Sequence, residues 1–194
     1  EACATAHEVP QPPQVLTGLE VLLRAPPPQL AGKRIGLITN HTGIDSQGVS
    51  GIDRLAASDD LELVALFAPE HGLRGSAAPG EHISSGRDER TGLPVHSLYG
   101  ERLAPTAAML RDVDVLLYDV QDVGARPYTF VWTMAMAMEA AAAEGIQFVV
   151  LDRPNPITGL AEGPLMDREM RNVGQAITGY HPVPLRHGMT VGEV

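Results

Sequence analysis

The chain has 194 residues, of which 44% are hydrophobic and 20% are charged, and its formal net charge is −10. This length suffices for one domain with a sizeable core, or for two small domains. The acidic balance argues against a nucleic-acid ligand and against an anionic membrane surface, because both require a surplus of Lys and Arg. The sequence contains no run of about 18 apolar residues, so it predicts no transmembrane segment.

The first 15 residues are polar and bear several prolines, so we predict a disordered leader at 1–15. The single cysteine of the chain, Cys3, lies in this leader, and no internal disulfide can therefore form. One interpretation of Cys3 is an incidental thiol, and the other is a lipid-anchor residue. The residues before it do not form the usual small-apolar lipobox.

Beyond the leader, short apolar runs alternate with segments of helical character. Thr17 and Glu20 have capping-box spacing, which predicts a short helix from there through Leu23. The patterns then predict, in chain order, a strand at 34–39, a helix at 51–57, a strand at 61–67, a short strand at 93–98, a helical turn or two at 106–111, a strand at 113–118, a helix at 129–144 and a strand at 148–151. Continuous apolar strands between helices indicate an α/β fold, with a parallel sheet covered on both faces.

After Leu151 the regular pattern fades, and prolines punctuate the remaining residues. Thr190 and Glu193 again have capping-box spacing, although the sequence stops one residue later. We therefore expect the chain to be a piece of a longer protein.

Polar side chains follow each of the longer predicted strands. In an open α/β sheet, ligands bind beyond the carboxyl ends of the strands. The side chains at these positions are Asn40, His41 and Thr42 after the first strand, Glu70, His71 and Arg74 after the second, Asp119, Gln121, Asp122 and Arg126 after the third, and Asp152, Arg153 and Asn155 after the fourth. In a parallel sheet they converge on one rim, so the sequence predicts a functional site there.

Glu70 is the strongest single candidate for chemistry. It stands between Pro69 and Gly72, just past an apolar strand, so we expect it to be partly buried. Partial burial would raise its pKa and suit it to general-acid catalysis. The structural alternative is a helix N-cap or a salt bridge to Arg74.

The other polar clusters also have structural alternatives. The segment from Asn40 to Gly43 is equally consistent with a turn, because Asn and Gly suit left-handed backbone. A purely structural ion-pair network is the alternative for Asp119, Asp122 and Arg126 after the third strand. Asp152 and Arg153, after the fourth strand, could form a second one.

Several familiar motifs are absent from the sequence. It has neither a GxGxxG fingerprint nor a P-loop, which argues against nucleotide binding. It also lacks a GxSxG nucleophile elbow. The histidines and acids could build a metal site, but none shows HExxH or other tight ligand spacing, so metal binding is a minority hypothesis.

An ordered series of motifs resembles the NamZ-type exo-β-N-acetylmuramidases, from about Gly18 to the end of the chain. The motifs are GLITNHTG at 36–43, FAPEHGLRG at 67–75, LPV at 93–95 with SLYG at 97–100, DVQDVGARPYT at 119–129, LDRPNP at 151–156 and RHGMTVGE at 186–193. Pro127 departs from the aromatic residue expected before Tyr128, and His41 stands where glutamine is also common. Neither departure removes a carboxylate.

The resemblance implies a Rossmann-like catalytic α/β domain over residues 16–194, with a mostly parallel sheet and helices on both faces. It also implies a smaller C-terminal domain beyond this chain. The implied activity is release of N-acetylmuramic acid from the non-reducing ends of peptidoglycan fragments, with no metal or organic cofactor. The implied location is periplasmic or extracellular, with lipid anchoring as a variant, and a cytoplasmic location is the alternative.

The resemblance also implies roles for individual residues. Glu70 is the first choice for the catalytic acid, and His71 would orient it or touch the sugar. Asp119 and Asp122 would supply a second carboxylate, because glycoside hydrolysis generally uses two carboxyl groups. Arg153, Arg126 or Arg186 would pair with the lactyl carboxylate of muramic acid. The remaining expected substrate-binding residues are Asn40, Arg74, Gln121, Tyr128, Asp152, Asn155 and His187.

Two other classes of function compete with the muramidase hypothesis. One is a non-catalytic module that binds a cell-wall sugar. The other is a metal-dependent hydrolase that acts through His71, His187 and nearby acids.

Overall fold

The structure is a computed structural model that describes residues 15–75, 78, 80–81, 84–171 and 178–194. The predicted leader lies outside these residues except for Val15, and so do Cys3 and His82.

Four α-helices, two short 3-10 helices and eight strands make up the described residues. The α-helices are α1 (Gly18–Arg24), α2 (Gly51–Ala56), α3 (Ala107–Leu110) and α4 (Phe130–Ala143), and the 3-10 helices span Pro28–Leu30 and Arg168–Met170. The strands are β1 (Arg34–Thr39), β2 (Glu62–Ala68), β3 (Gly86–Arg87), β4 (Pro94–Ser97), β5 (Val115–Asp119), β6 (Gln147–Val150), β7 (Glu162–Leu165) and β8 (Pro184–Arg186).

Six strands form one sheet in the order β3-β4-β2-β1-β5-β6. Every neighbouring pair is parallel except β3 with β4. The chain moves outward from β1 through β2 to β4 and then returns to β5, on the other side of β1. This reversal creates a topological switch point between β1 and β5, which is the position where α/β sheets of this kind bind ligands.

The sheet is buried on both faces, as the continuous apolar strands predict. Leu37 and Ile38 are consecutive in β1 and both fully buried, yet they belong to different cores. Helices α1 and α2 cover the face of Leu37, and α3 and α4 cover the face of Ile38. The predicted α/β class with helices on both faces is therefore confirmed.

The predicted elements before residue 152 are all present, with bounds that shift by no more than two residues. The capping box of Thr17 and Glu20 is also present, with the Thr17 amide donating to the Glu20 carboxylate at 2.9 Å. The two-residue β3 and the antiparallel ribbon β7–β8 were not predicted. Strand β7 is exposed along its whole length, so it carries no apolar pattern to reveal it.

Gly18 fixes α1 against the carboxyl end of β6. Its amide donates to the Asp152 carbonyl at 2.7 Å, and a Cβ at this position would lie 2.3 Å from the Asp152 nitrogen. We expect Gly18→Ala to lower the free energy of unfolding by about 1–3 kcal/mol, because backbone atoms cannot move aside as a flexible side chain would. Urea denaturation measures this change.

Gly86 offers a matched control, since an added Cβ there meets nothing within 4 Å. Gly86→Ala should stay within about 0.5 kcal/mol of the parent protein. Equal stability of the two variants would refute the account of the Gly18 contact.

Candidate active site

The switch point places the ends of β1 and β5 side by side. Thr39 pairs with Asp119 across the two strands, and its hydroxyl donates to the Asp119 carbonyl at 2.7 Å. Gly43 lies so close that a Cβ there would be 2.2 Å from the Thr39 hydroxyl oxygen. The turn that follows β1 is therefore packed directly onto the end of β5.

Asp119 and Arg153 form a buried, bidentate ion pair at this point. The Arg153 Nε and Nη2 atoms donate to the two carboxylate oxygens at 2.7 and 3.2 Å, and the side chains of Asp119 and Arg153 are 0% and 5% exposed. Arg153 also donates to the Ile44 carbonyl at 3.0 Å. Burial raises the pKa of Asp119, although the hydrogen bond and charge of Arg153 act in the opposite direction.

This pairing places two predicted site residues in a buried contact with each other. The carboxylate of Asp119 faces Arg153, and the guanidinium of Arg153 is turned to Asp119 and Ile44. A bound sugar would have to compete with these partners. The sequence suggested Asp152 as a structural ion-pair partner of Arg153. In the structure, the ion-pair partner of Arg153 is Asp119.

A second network connects the loops after β1 and β5. The Asn40 Oδ1 atom accepts hydrogen bonds from the amide and hydroxyl of Thr42, at 2.9 and 2.6 Å. The Thr42 hydroxyl in turn accepts the Gln121 amide at 2.9 Å. The Gln121 side chain reaches the loop after β6 and donates to the Pro154 carbonyl at 3.0 Å.

Asn40 is only 1% exposed, and its Nδ2 atom has no hydrogen-bond partner among the described residues. A buried, unpaired amide is unfavourable unless a further group satisfies it. The segment from Asn40 to Gly43 thus forms a turn, which was one of its two predicted interpretations. Within this turn the Asn40 Nδ2 atom remains available as a hydrogen-bond donor.

Asp122 and His187 form the third contact of the rim. The His187 Nε2 atom lies 2.9 Å from Asp122 Oδ2, and both side chains are almost completely buried. The Met189 amide donates to His187 Nδ1 at 3.3 Å, so the ring proton belongs on Nε2, facing the carboxylate. The same carboxylate oxygen accepts the Gly124 amide at 2.6 Å.

The other oxygen of Asp122, Oδ1, is buried and has no hydrogen-bond partner in the part of the chain that the structure describes. Asp122 therefore differs from Asp119. Both oxygens of Asp119 are occupied by Arg153, whereas Asp122 keeps an acceptor for a further donor.

Asp152 and Asn155 shape the loop after β6. Asp152 accepts hydrogen bonds from the Thr190 hydroxyl at 2.8 Å and from the Gly192 amide at 2.7 Å. Asn155 donates to the Met189 carbonyl at 3.0 Å and accepts the Ile157 amide at 3.0 Å. Both side chains thus join the loop after β6 to residues 189–192.

Glu70 is half-buried and hydrogen-bonded on both carboxylate oxygens. Its Oε2 atom accepts the Thr129 hydroxyl at 2.8 Å, and its Oε1 atom accepts the Gly80 amide at 3.1 Å. The Tyr99 hydroxyl is a neighbour of this carboxylate and helps to lower its pKa. The predicted alternative of a salt bridge to Arg74 is not present among these contacts.

The expected direction of the Glu70 pKa shift was wrong. Burial does raise the pKa, as expected, but the hydrogen bonds from Thr129, Gly80 and Tyr99 and the charge of His71 together outweigh it. The pKa of Glu70 therefore lies below its ordinary value, and Glu70 is a carboxylate at neutral pH. The partial burial of Glu70 could be predicted from the sequence, but its hydrogen-bond donors could not.

His71 has a left-handed backbone, with φ of 71°, which non-glycine residues seldom adopt. Its ring makes edge contacts with His41, at 6.4 Å between centroids, and with Phe130, at 6.3 Å. The loop that carries Glu70 is thereby packed between the turn after β1 and the start of α4.

The remaining predicted arginines bind protein groups. Arg74 pairs with Asp88 through two contacts of 3.0 Å and with Asp53 at 3.4 Å, so it points toward α2 and away from Glu70. Arg126 donates to the carbonyls of Pro164 and Val183 at 2.9 and 2.8 Å.

Arg186 pairs with Glu162 across the β7–β8 ribbon. Its Nε atom is buried without a hydrogen-bond partner among the residues described. Tyr128 is 51% exposed, so its ring is accessible from the surface.

Within the described ranges, no group of three or more His, Cys, Asp or Glu side chains is placed to hold a metal ion. Nor does any described helix have the length and apolar character needed to cross a membrane.

Sequence reasoning missed Tyr99 and Thr129 as contributors to the site. Both residues lie inside the motifs at 97–100 and 119–129. Neither has a charged or amide side chain, which is the kind of group used to predict the site at the strand ends. Their contacts with Glu70 cross 29 and 59 residues of chain, which no local pattern encodes.

Known proteins resemble this chain over most of its described length. A relative from Bacillus subtilis (strain 168), the peptidoglycan β-N-acetylmuramidase NamZ, is 49% identical over 189 residues, which cover 97% of this chain and 45% of that protein. The chain thus spans about half the length of this curated relative.

Two crystal structures of DUF1343 family proteins from Bacteroides fragilis share the fold. One is 46% identical, with a TM-score of 0.82, and the match covers 91% of this chain and 44% of the other. The second is 35% identical, with a TM-score of 0.76, and the match covers 93% and 45% of the two chains.

The model of one protein family, described as the N-terminal part of the exo-β-N-acetylmuramidase NamZ, matches residues 35–194. This match includes every predicted site residue and the sheet apart from Arg34, the first residue of β1. The chain therefore belongs to the NamZ N-terminal family.

Proposed function

We propose that this chain forms the active-site domain of a glycoside hydrolase that releases N-acetylmuramic acid from the non-reducing ends of peptidoglycan fragments. The observation that carries the proposal is the Glu70 carboxylate, half-buried beyond the end of β2 and hydrogen-bonded by Thr129 and Gly80. The name of the Bacillus subtilis relative supports the substrate class.

Glu70 enters the reaction as a carboxylate. In this form it can accept a proton from water or stabilise the positive charge of an oxocarbenium-like transition state. This role replaces the general-acid role expected from the sequence, because the lowered pKa of Glu70 leaves little of the protonated form at neutral pH.

Asp122 is the better candidate for the second carboxyl group. Asp119 is fully buried and bonded on both oxygens to Arg153, whereas the Oδ1 atom of Asp122 has no partner in the described part of the chain. His187 donates to the other oxygen and fixes the orientation of the carboxyl group.

Arg186 is the remaining candidate for the lactyl carboxylate of muramic acid. Arg153 is committed to Asp119, and Arg126 to two backbone carbonyls. Arg186 keeps an Nε donor without a partner in the described residues, and a guanidinium can bind carboxylate with two parallel hydrogen bonds.

We also propose that a C-terminal domain completes the cleft and that the bacterial protein works outside the cytoplasm, where peptidoglycan lies. The 45% coverage of the Bacillus subtilis relative supports the first point. Cell fractionation with an antibody to this chain tests the second, and recovery of the protein in the cytoplasmic fraction would contradict it.

The activity is tested with glycan fragments that end in either N-acetylmuramic acid or N-acetylglucosamine at the non-reducing end. The protein should be this chain joined to its C-terminal domain, and mass spectrometry should follow the released sugar. We expect release of N-acetylmuramic acid only, because a site built to pair with a carboxylate rejects the sugar that lacks it.

Three outcomes would contradict the proposal in different ways. Equal release of both sugars would refute the assigned specificity. Binding without release would support the sugar-binding module, and loss of activity with a chelator would support the metal-dependent hydrolase.

A further inference from the structure

The donors to Glu70 come from separate parts of the fold. Thr129 stands at the start of α4 and donates its hydroxyl, and Gly80 contributes a backbone amide. A carboxylate offers about four acceptor positions, so these two donors, one on each oxygen, leave about two for a reacting group. Such an arrangement fixes both the rotation of the carboxylate and the direction of its remaining lone pairs.

Thr129 does not use its hydroxyl in the way its position would suggest. It is the N-cap residue of the 14-residue helix α4, where threonine ordinarily accepts a hydrogen bond from the first turn. Here the side chain makes no capping contact and instead donates to Glu70 at 2.8 Å. The Thr129 hydroxyl thus binds Glu70 and does not cap the helix.

The position of Thr129 is itself fixed by the sheet. The hydroxyl of Tyr118, near the end of β5, donates to the carbonyl of Phe130 at 2.9 Å, and Tyr118 is 1% exposed. The start of α4 is therefore attached to the strand that borders the switch point, and Thr129 cannot drift from Glu70 without breaking this contact.

Tyr99 is also held rigidly. Its ring packs against two apolar cores, and its hydroxyl is a neighbour of Glu70. Burial and the neighbouring Glu70 carboxylate raise the pKa of Tyr99, so it remains a protonated donor at neutral pH.

We infer that Thr129, supported by the neighbouring Tyr99, positions the Glu70 carboxylate in the orientation used for glycoside hydrolysis. The inference rests on the proposed function for its catalytic part. Its structural part, the hydrogen bonding of Glu70, can be measured without any turnover. Because both hydroxyls favour the charged form, they should also keep Glu70 ionised.

The test uses Thr129→Val, Thr129→Ser and Tyr99→Phe in the chain joined to its C-terminal domain. Valine matches threonine in shape but lacks the donor, while serine retains it. For Thr129→Val and Tyr99→Phe we expect kcat on a chromogenic N-acetylmuramide to fall about 10- to 100-fold, with KM within about threefold, because hydrogen bonds to charged groups contribute on this scale. Thr129→Ser should remain near the parent activity.

The pH dependence gives the readout that a merely structural role would not produce. Loss of a donor to the carboxylate raises the pKa of Glu70, so the acidic limb of the kcat profile should move to higher pH. A ¹³C NMR titration of labelled glutamate, with the Glu70 signal assigned through Glu70→Gln, should show the same upward movement independently of activity. Thermal unfolding of each variant identifies any loss of folding.

The possible outcomes of these measurements test the positioning role and the proposed function separately. If the parent protein hydrolyses the substrate but neither variant changes kcat or the Glu70 titration, the positioning inference is overturned. If the parent protein does not hydrolyse it while the titration still moves, the proposed function fails and the hydrogen bonding of Glu70 stands. A larger KM with unchanged kcat would show that the two residues bind substrate and do not position Glu70.

Discussion

The Glu70→Gln variant is expected to lose hydrolysis of a chromogenic N-acetylmuramide by about 10²- to 10⁴-fold while it still binds N-acetylmuramic acid. Glutamine has the same shape as glutamate but carries no charge and exchanges no proton. Its amide group would also face at least one of the donors that now point at the carboxylate. Steady-state kinetics and calorimetric titration measure the two effects separately.

Glu81 is a matched control on the same loop. It is exposed, and its carboxylate accepts the Ala78 amide at 2.7 Å. Glu81→Gln should keep hydrolysis within about twofold of the parent protein, since exposed substitutions away from a site have small effects. Full activity in Glu70→Gln would remove Glu70 from the chemistry, whatever the control shows.

The second large effect is on stability. Arg153→Met is expected to lower the free energy of unfolding by about 3–5 kcal/mol, because it leaves the Asp119 carboxylate buried without its counter-ion. Asp119 is fully buried, and the bidentate contact with Arg153 is the ion pair that balances it. Chemical denaturation at pH 7 measures the loss.

The same variant has a distinctive pH dependence. Burial already raises the pKa of Asp119 in the folded protein, and removal of Arg153 raises it further. The folded state then binds a proton at a pH where the unfolded state does not, so stability falls as pH rises through this window. The deficit of Arg153→Met should therefore shrink when the pH is lowered from about 7 toward about 4.

Two further variants serve as controls for the buried pair. Arg102 makes an exposed contact of 3.7 Å with Glu101, and Arg102→Met should cost less than about 1 kcal/mol. The double variant Asp119→Asn/Arg153→Met should recover part of the loss, because no unpaired charge remains. If Arg153→Met were as stable as the parent protein, Arg153 would be free to bind substrate, as the sequence had suggested.

The fold could be predicted because its signals are local. Leu37 and Ile38 stand in a continuous apolar run, and such a run is typical of a strand that is buried on both faces. The capping box of Thr17 and Glu20 placed the start of α1 correctly. The β7–β8 ribbon escaped prediction because an exposed strand has no apolar period to detect.

The site could be predicted only in outline, because its contacts are not local. Strand ends indicated where polar groups would lie, and Asp119, Asp122 and Glu70 all lie at the carboxyl rim. The partners that decide their chemistry are remote in sequence, with a separation of 34 residues from Asp119 to Arg153 and of 59 from Glu70 to Thr129. The direction of the Glu70 pKa shift was therefore misjudged, since burial can be inferred from a motif and a remote donor cannot.

We expect the sugar to bind at the carboxyl rim against Glu70. A crystal structure of the Glu70→Gln variant, joined to its C-terminal domain and bound to a disaccharide with N-acetylmuramic acid at the non-reducing end, is the decisive test of this binding site. We predict the reacting anomeric carbon or its glycosidic oxygen within about 3–3.5 Å of the amide side chain that replaces Glu70, or one water away. A sugar bound instead at the amino ends of the strands, or in the apolar groove that Val21, Leu22 and Val149 line between α1 and β6, would contradict this binding site.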